Sequence, residues 1–253
     1  MTKSSPNSIS SKKSLRVNEL VPQAQELFKD CGFLYFICGG FALDMFAGKE
    51  LRPHGDFDIS VFMENKREVV DFLHSNGWPV YARFASVDNP DSFKEFYLLA
   101  DLPSGKLDEC ENMWAVKPGS FAEMYLKDDN KGIYSYRIHE PRLQGFDFIE
   151  LAFNMQKDGK FVCEGEQCVE LELDKAILYK DGVPYMAPEL VLFLKSHPFY
   201  SQNDYQKPKT EFDFKAVMPF LPDESRQWLI NELDRAYPDG YEWLGGLLAG
   251  ANS

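Results

Sequence analysis

Ile37-Cys38-Gly39-Gly40-Phe41-Ala42-Leu43-Asp44, followed by Arg52-Pro53-His54-Gly55-Asp56-Phe57-Asp58-Ile59-Ser60-Val61-Phe62, is the stretch whose reading decides the fold. The first part is an apolar strand that runs into a glycine turn and then a helix, a geometry that presents backbone N–H groups to an anion. The second part sets two carboxylates two residues apart on an apolar strand. Side chains alternate along a strand, so Asp56 and Asp58 share a face while Phe57, Ile59 and Val61 point into the core. Two carboxylates side by side repel, and a divalent cation with oxygen ligands is the simplest group to sit between them.

Outward from this stretch, apolar residues at helical spacing predict a helix over Val17 to Cys31, stopped by Gly32. Phe33 to Cys38 is the first strand, and Phe41 to Ala47 is a helix closed by Gly48. Asn65 is placed to cap a helix over Lys66 to Ser75 that ends at Asn76-Gly77. Strands follow at Trp78 to Ala85 and Glu95 to Asp101. Residues 103–145 show no sustained period and read as an irregular insertion, either a lid over a site or structural filler. Phe146 to Asn154 is a strand with acids embedded among apolar residues. Asp147 and Glu150 face opposite sides of it, so only one of them can join the Asp56 and Asp58 face.

Asp158-Gly159 signals a hairpin, with Lys160 to Cys163 and Val169 to Leu173 as edge strands. Asp181-Gly182 and Pro184 mark a boundary, beyond which the pattern turns helical. Glu189 to Ser196 follows a first-turn Pro188, Thr210 caps a helix over Glu211 to Met218, Pro222 begins another that reaches Arg235, and Gly240 to Ala251 forms a last short one. The expectation is an α+β protein: a disordered tail over 1–13, an α/β domain over 14–184, and a helical domain over 185–253.

At 253 residues the chain is long enough to bury a full core, and 44% hydrophobic with 26% charged residues is an ordinary globular composition. A formal charge of -13 argues against a large nucleic-acid surface and suits a small cationic substrate. No apolar run approaches the roughly 20 residues that span a bilayer, and the first residues lack a signal peptide's apolar region, so the expected location is the cytoplasm with no membrane contact. Five cysteines at irregular spacing match neither a disulfide framework nor a zinc pattern and read as reduced thiols.

A glycine turn opening a helix, a D-x-D strand and a third carboxylate on a later strand are the parts that phosphoryl and nucleotidyl transfer need. Gly39-Gly40-Phe41-Ala42-Leu43-Asp44, the polar loop and Arg52-Pro53-His54-Gly55-Asp56-Phe57-Asp58 resemble the signature of the nucleotidyltransferase superfamily, in the branch of aminoglycoside and lincosamide nucleotidyltransferases. A weaker resemblance to the aminoglycoside 2''-adenylyltransferase-like group extends over Ile149 to Asn154, Gly182 to Glu189 with Lys195, and Lys207-Pro208-Lys209 with Asp213-Phe214. It implies a nucleotidyltransferase fold in a bilobal enzyme with a mixed β-sheet and a helical second lobe, and ATP or another NTP with magnesium, two ions, between the lobes. The implied reaction moves a nucleoside monophosphate, AMP first among them, to a hydroxyl of a small molecule such as an aminoglycoside-like antibiotic and releases pyrophosphate.

Carried over residue by residue, the resemblance makes Asp56 and Asp58 metal ligands and sets Gly39 and Gly40 against the triphosphate. Glu150 is the first choice for the third carboxylate, as metal ligand or general base, with Asp147 and Asp108 as rivals. The family's Gly-Ser turn is Gly-Gly-Phe here, so the hydroxyl contact to phosphate is lost, and the backbone with Lys195 or Lys209 is left to supply phosphate binding. His54 stands beside the nucleotide site, either against the nucleotide or as a hydrogen-bonding partner of its own loop. A monomer and a homodimer are both compatible. Two other readings stay open: a protein-modifying nucleotidyltransferase of toxin–antitoxin type, and a catalytically inactive nucleotide-binding module.

Overall fold

The computed structural model describes residues 17–84, 95–98, 110, 112–120, 122–138, 148–163, 169–198, 204 and 206–238. In chain order these form helix α1 (Val17–Phe28), strand β1 (Tyr35–Ile37), helix α2 (Gly39–Ala47), strand β2 (Asp58–Phe62) and helix α3 (Lys66–Ser75). There follow the strands β3 (Val80–Phe84), β4 (Glu95–Leu98), β5 (Asn112–Val116), β6 (Ala122–Asp128), β7 (Ile133–Ile138), β8 (Phe148–Lys157), β9 (Lys160–Cys163) and β10 (Val169–Glu172). A short helix Leu173–Ala176, strands β11 (Ile177–Lys180) and β12 (Val183–Met186), and the helices Pro188–Lys195, Lys207–Val217 and Asp223–Ala236 complete the described chain.

The described strands form one twelve-stranded sheet ordered β11-β12-β1-β2-β8-β5-β3-β4-β7-β6, with β9 and β10 continuing from β8. The sheet is mixed, because β1 with β12 and β2 with β8 run parallel while the other pairs are antiparallel. With its helices this makes the protein α+β. Two pairings decide where chemistry can occur. Antiparallel pairing of β1 with β2, Ile37 opposite Ile59, brings the end of β1 and the start of α2 to the start of β2. Parallel pairing of β2 with β8, Asp58 opposite Glu150, brings the early part of β8 to the same end.

Apolar residues fill both sides of the sheet. Phe36, Ile37, Ile59, Val61, Val80, Ala82, Met113, Ala115, Ile149 and Leu151 belong to the main core, together with α1, α2 and the three later helices. On the other face Tyr81, Trp114, Val116 and Phe148 form a second, smaller cluster, with Trp114 and Phe148 stacked at 4.0 Å. The helix Pro188–Lys195 packs on α2 and on the helices Lys207–Val217 and Asp223–Ala236.

Residues 112–138 correct the expectation of an irregular insertion, since they hold β5, β6 and β7. Asn112-Met113-Trp114-Ala115-Val116 is apolar on both faces because each face meets a different cluster, so the alternation that announces a strand is missing. Asp181-Gly182 is likewise a turn inside the sheet. Asp181 at φ 52 and Gly182 at φ 80 are both left-handed, as a two-residue type I′ hairpin requires, and they join β11 to β12. Asp158-Gly159, read from sequence as a hairpin, has the same signature at φ 52 and 79.

Helix ends shift for local reasons. The helix Lys207–Val217 starts ahead of Thr210, which is buried within it rather than capping it, and Pro208 occupies the first turn where its missing N–H costs nothing. Asn65 precedes α3 without a side-chain capping bond and donates its amide to Glu68 instead. The short helix expected over Gly240 to Ala251 lies outside the described residues, as do the tail over 1–13, Asp108 and Asp147. Among the described residues no helix is long and apolar enough to cross a membrane, and Cys31, Cys38, Cys110 and Cys163 form no disulfide.

Candidate active site

The turn between β1 and α2 is built around two glycines for two different reasons. Gly39, at φ +62, adopts a backbone that side chains disfavour, and a methyl there would lie 2.1 Å from Asp58 Oδ2. Gly40 has an ordinary backbone, but a methyl on it would strike the His54 ring at 2.4 Å and approach Arg52 Nη2 to 3.2 Å. Cys38, extended, precedes the helix and donates its N–H to the Asp58 carbonyl at 3.1 Å. The first N–H groups of α2 therefore open beside the acids.

Asp56, Asp58 and Glu150 each bring a carboxylate oxygen within 4.8 Å of the others. Asp56 is exposed, while Asp58 and Glu150 are half-buried. The Glu150 N–H donates to the Phe57 carbonyl at 3.0 Å, which fixes its strand against the D-x-D segment. At such separations each like-charge pair costs about 3 kcal/mol with an effective dielectric constant of about 20. The fold opposes this repulsion with packing. Phe41 of α2 and Phe57 are fully buried and meet edge to face at 5.0 Å, each contributing about 1.5–3 kcal/mol.

Burial first, and then the charges of Asp56 and Glu150, push the Asp58 carboxyl well above its ordinary range, while Lys195 and Arg52 pull the other way. Burial, followed by the Asp58 charge, also pushes the Cys38 thiol well above its ordinary value. Both effects favour the protonated thiol of Cys38 over the thiolate.

The polar loop is held from below. Asp44, buried on α2, accepts the Leu51 N–H at 2.9 Å through Oδ1 and meets His54 Nε2 at 2.7 Å through Oδ2. The long contact of Arg52 Nη1 to His54 Nδ1, 3.4 Å, makes Nδ1 an acceptor, because a guanidinium only donates; Nε2–H then donates to Asp44. His54 is buried and also packs on the Phe41 ring at 4.6 Å.

Arg52 clasps Asp213 with two prongs, Nε to Oδ1 at 2.7 Å and Nη2 to Oδ2 at 2.9 Å, and Lys195 Nζ lies 3.2 Å from the same Oδ2. Thus Gly39, Gly40, Asp56, Asp58, Glu150 and His54 are gathered at one end of the sheet, with Lys195 facing them. Lys209 stands in the first turn of the helix Lys207–Val217, one turn before Asp213. Sequence reasoning did not single out Arg52 and Asp213 for this site, although both stand in the stretches that carry the resemblance. With the helix starting at Lys207, Lys209 and Asp213 are four residues apart and share a face.

The family described as Aminoglycoside-2''-adenylyltransferase matches residues 20–89, the segment holding the glycine turn, the loop and both aspartates. Among solved structures, the lincosamide antibiotic adenylyltransferase LnuA with lincomycin bound is 16% identical, over 78% of this chain and 97% of its own, at a TM-score of 0.43. The antibiotic-resistance factor ANT(2'')-Ia is 11% identical over 88% and 93%, at 0.44. An antigenic nucleotidyltransferase-like protein from Paracoccidioides brasiliensis is 18% identical over 94% and 95%, at 0.40. At these scores the likeness is loose. No curated protein matches the chain.

The mixed sheet, the glycine turn and the carboxylate cluster lie in or against the segment that matches this family of nucleotide-transferring enzymes. Over residues 20–89 the chain resembles in particular the aminoglycoside 2''-adenylyltransferase family.

Proposed function

We propose that the protein is a Mg2+-dependent nucleotidyltransferase that moves a nucleoside monophosphate, AMP in the first instance, from an NTP to a hydroxyl of a small molecule and releases pyrophosphate. The observation that carries this reading is the convergence of Asp56, Asp58 and Glu150 within 4.8 Å, at the end of the sheet where α2 begins. The donor set fits the ion: three carboxylates supply only hard oxygen ligands, which suits magnesium. When bound, Mg2+ supplies charge neutralisation for the triphosphate and for the oxygen that attacks it.

The chain's own groups do the rest. The N–H groups at Gly39 and Gly40 hold the phosphate tail, Lys195 with Arg52 adds positive charge, and Lys209 stands in reserve on the next helix. A carboxylate oxygen of Glu150 or of Asp58 takes the acceptor hydroxyl's proton as the oxygen–α-phosphorus bond forms and the bond to the β-phosphate breaks. His54 holds the loop through Asp44, and its two ring nitrogens are engaged by protein groups. The boundary expected at 184 falls inside β12, so in this reading one lobe is the sheet through β12 with its flanking helices and the other is the helices from Pro188 on, with the nucleotide between them.

The family match over residues 20–89 supports an antibiotic-type acceptor. A panel of aminoglycosides and lincosamides, assayed with each NTP for pyrophosphate release, tests the proposal. Turnover that is lost in both Asp56→Asn and Asp58→Asn is the expected result. Turnover unchanged in both variants, or a nucleotide adduct found only on a protein partner by mass spectrometry, would overturn it.

A further inference from the structure

Asp213 lies on the helix Lys207–Val217, far along the chain from the acids, yet it is 1% exposed and takes two cations at once. Arg52 comes from the loop that leads into the D-x-D segment, and Lys195 from the end of the helix Pro188–Lys195. Both cations also act on the Asp58 carboxyl, and the Arg52 guanidinium borders the glycine turn. Each therefore has one side toward Asp213 and its charge toward the place where a triphosphate would lie. Without Asp213, two like charges would converge on one small region with no anion to order them.

We infer that Asp213 is the positioning residue of this site: it ties Arg52 and Lys195 from two separate segments into one preset cationic pair, aimed at the phosphates of the incoming nucleotide. The inference rests on the nucleotidyltransferase reading. Two-pronged pairing fixes the Arg52 plane, whereas Lys195, held through a single oxygen, is the cation free to turn toward a phosphate. The same pair fastens the loop to the helices, so nucleotide binding and the seating of those helices are coupled through one carboxylate.

Binding of a non-hydrolysable ATP analogue with Mg2+, and of Mn2+ alone, is measured for the wild type, Asp213→Asn and Asp213→Glu. Asp213→Asn is expected to weaken the analogue about tenfold or more while Mn2+ affinity is unchanged, and Asp213→Glu to restore most of the loss. Should Asp213→Asn fail to fold, Lys195→Gln is read in the same way, with selective loss of the analogue expected. Analogue affinity unchanged, or analogue and Mn2+ affinity falling in the same proportion as in a merely structural defect, overturns the inference alone. A wild type that binds neither analogue nor Mn2+ overturns the nucleotidyltransferase reading, and the inference with it.

Discussion

Asp58 and Glu150 stand directly opposite one another on parallel neighbouring strands, so their carboxylates share one face of the sheet. Parallel register is what gathers the acids. A slip of one residue would turn Glu150 to the other face, among Ile149 and Leu151 in the main core.

This arrangement sacrifices stability. Asp58 is half-buried beside two like charges, and an amide of the same shape removes the repulsion. Metal-free Asp58→Asn is therefore expected to be more stable than the wild type, by about 1 kcal/mol in urea unfolding. Added Mn2+ should raise the melting temperature of the wild type and leave the variant where it was. A variant less stable than the metal-free wild type would show that the acids are neutralised by something else.

Gly39 and Gly77 make a matched test of the glycine turn. Both have positive φ, +62 and +77, but only Gly39 faces Asp58; Gly77 has open space around its missing Cβ. Gly77→Ala should show the backbone cost alone, about 1–2 kcal/mol. Gly39→Ala should cost more and also lose Mn2+ affinity, as the new methyl displaces the Asp58 carboxylate. Equal costs with intact Mn2+ binding would remove Gly39 from the site.

His54→Ala leaves the buried Asp44 carboxylate without its 2.7 Å partner and is expected to cost about 1–3 kcal/mol of stability. If His54 serves the loop, His54→Gln should recover part of that loss by donating to Asp44. Nucleotide affinity should then follow loop stability across both variants. Affinity falling with stability untouched would place the imidazole against the nucleotide instead.

Burial alone would raise the Asp213 carboxyl, but the hydrogen bonds from Arg52 and the charges of Lys195 and Arg52 outweigh it and hold the group below its ordinary value. A folded value below the unfolded one means that this carboxylate contributes its full stability above the unfolded value. The contribution is lost as pH falls from there through the folded value. The stability gap between wild type and Asp213→Asn should accordingly be flat from about pH 8 to about pH 5 and narrow below about pH 4. A gap that widens toward acid would contradict the ion pair.

The local part of the site was legible in the sequence. Gly39-Gly40 and Asp56-Phe57-Asp58 announce themselves because a turn and a strand's alternation need only neighbouring residues. Alternation also separated Glu150 from Asp147, while Asp147 and Asp108 both lie outside the described residues. What could not be read was distance. Arg52 and Asp213 are 161 positions apart, and no local pattern says that a loop and a late helix will meet. β11 and β12 were missed because Asp181-Gly182 punctuates a hairpin as readily as it ends a domain. β6 forms the last strand of the sheet and exposes Tyr125 and Leu126, which blurs the contrast between its faces.

The central claim is that Asp56, Asp58 and Glu150 together form a divalent metal site. Titration of Mn2+ followed by electron paramagnetic resonance, in the wild type and in Glu150→Gln, tests it most directly. Saturable binding in the wild type that weakens about tenfold or more in Glu150→Gln is the predicted result. Mn2+ binding indifferent to Glu150→Gln, or absent from the wild type, would contradict it.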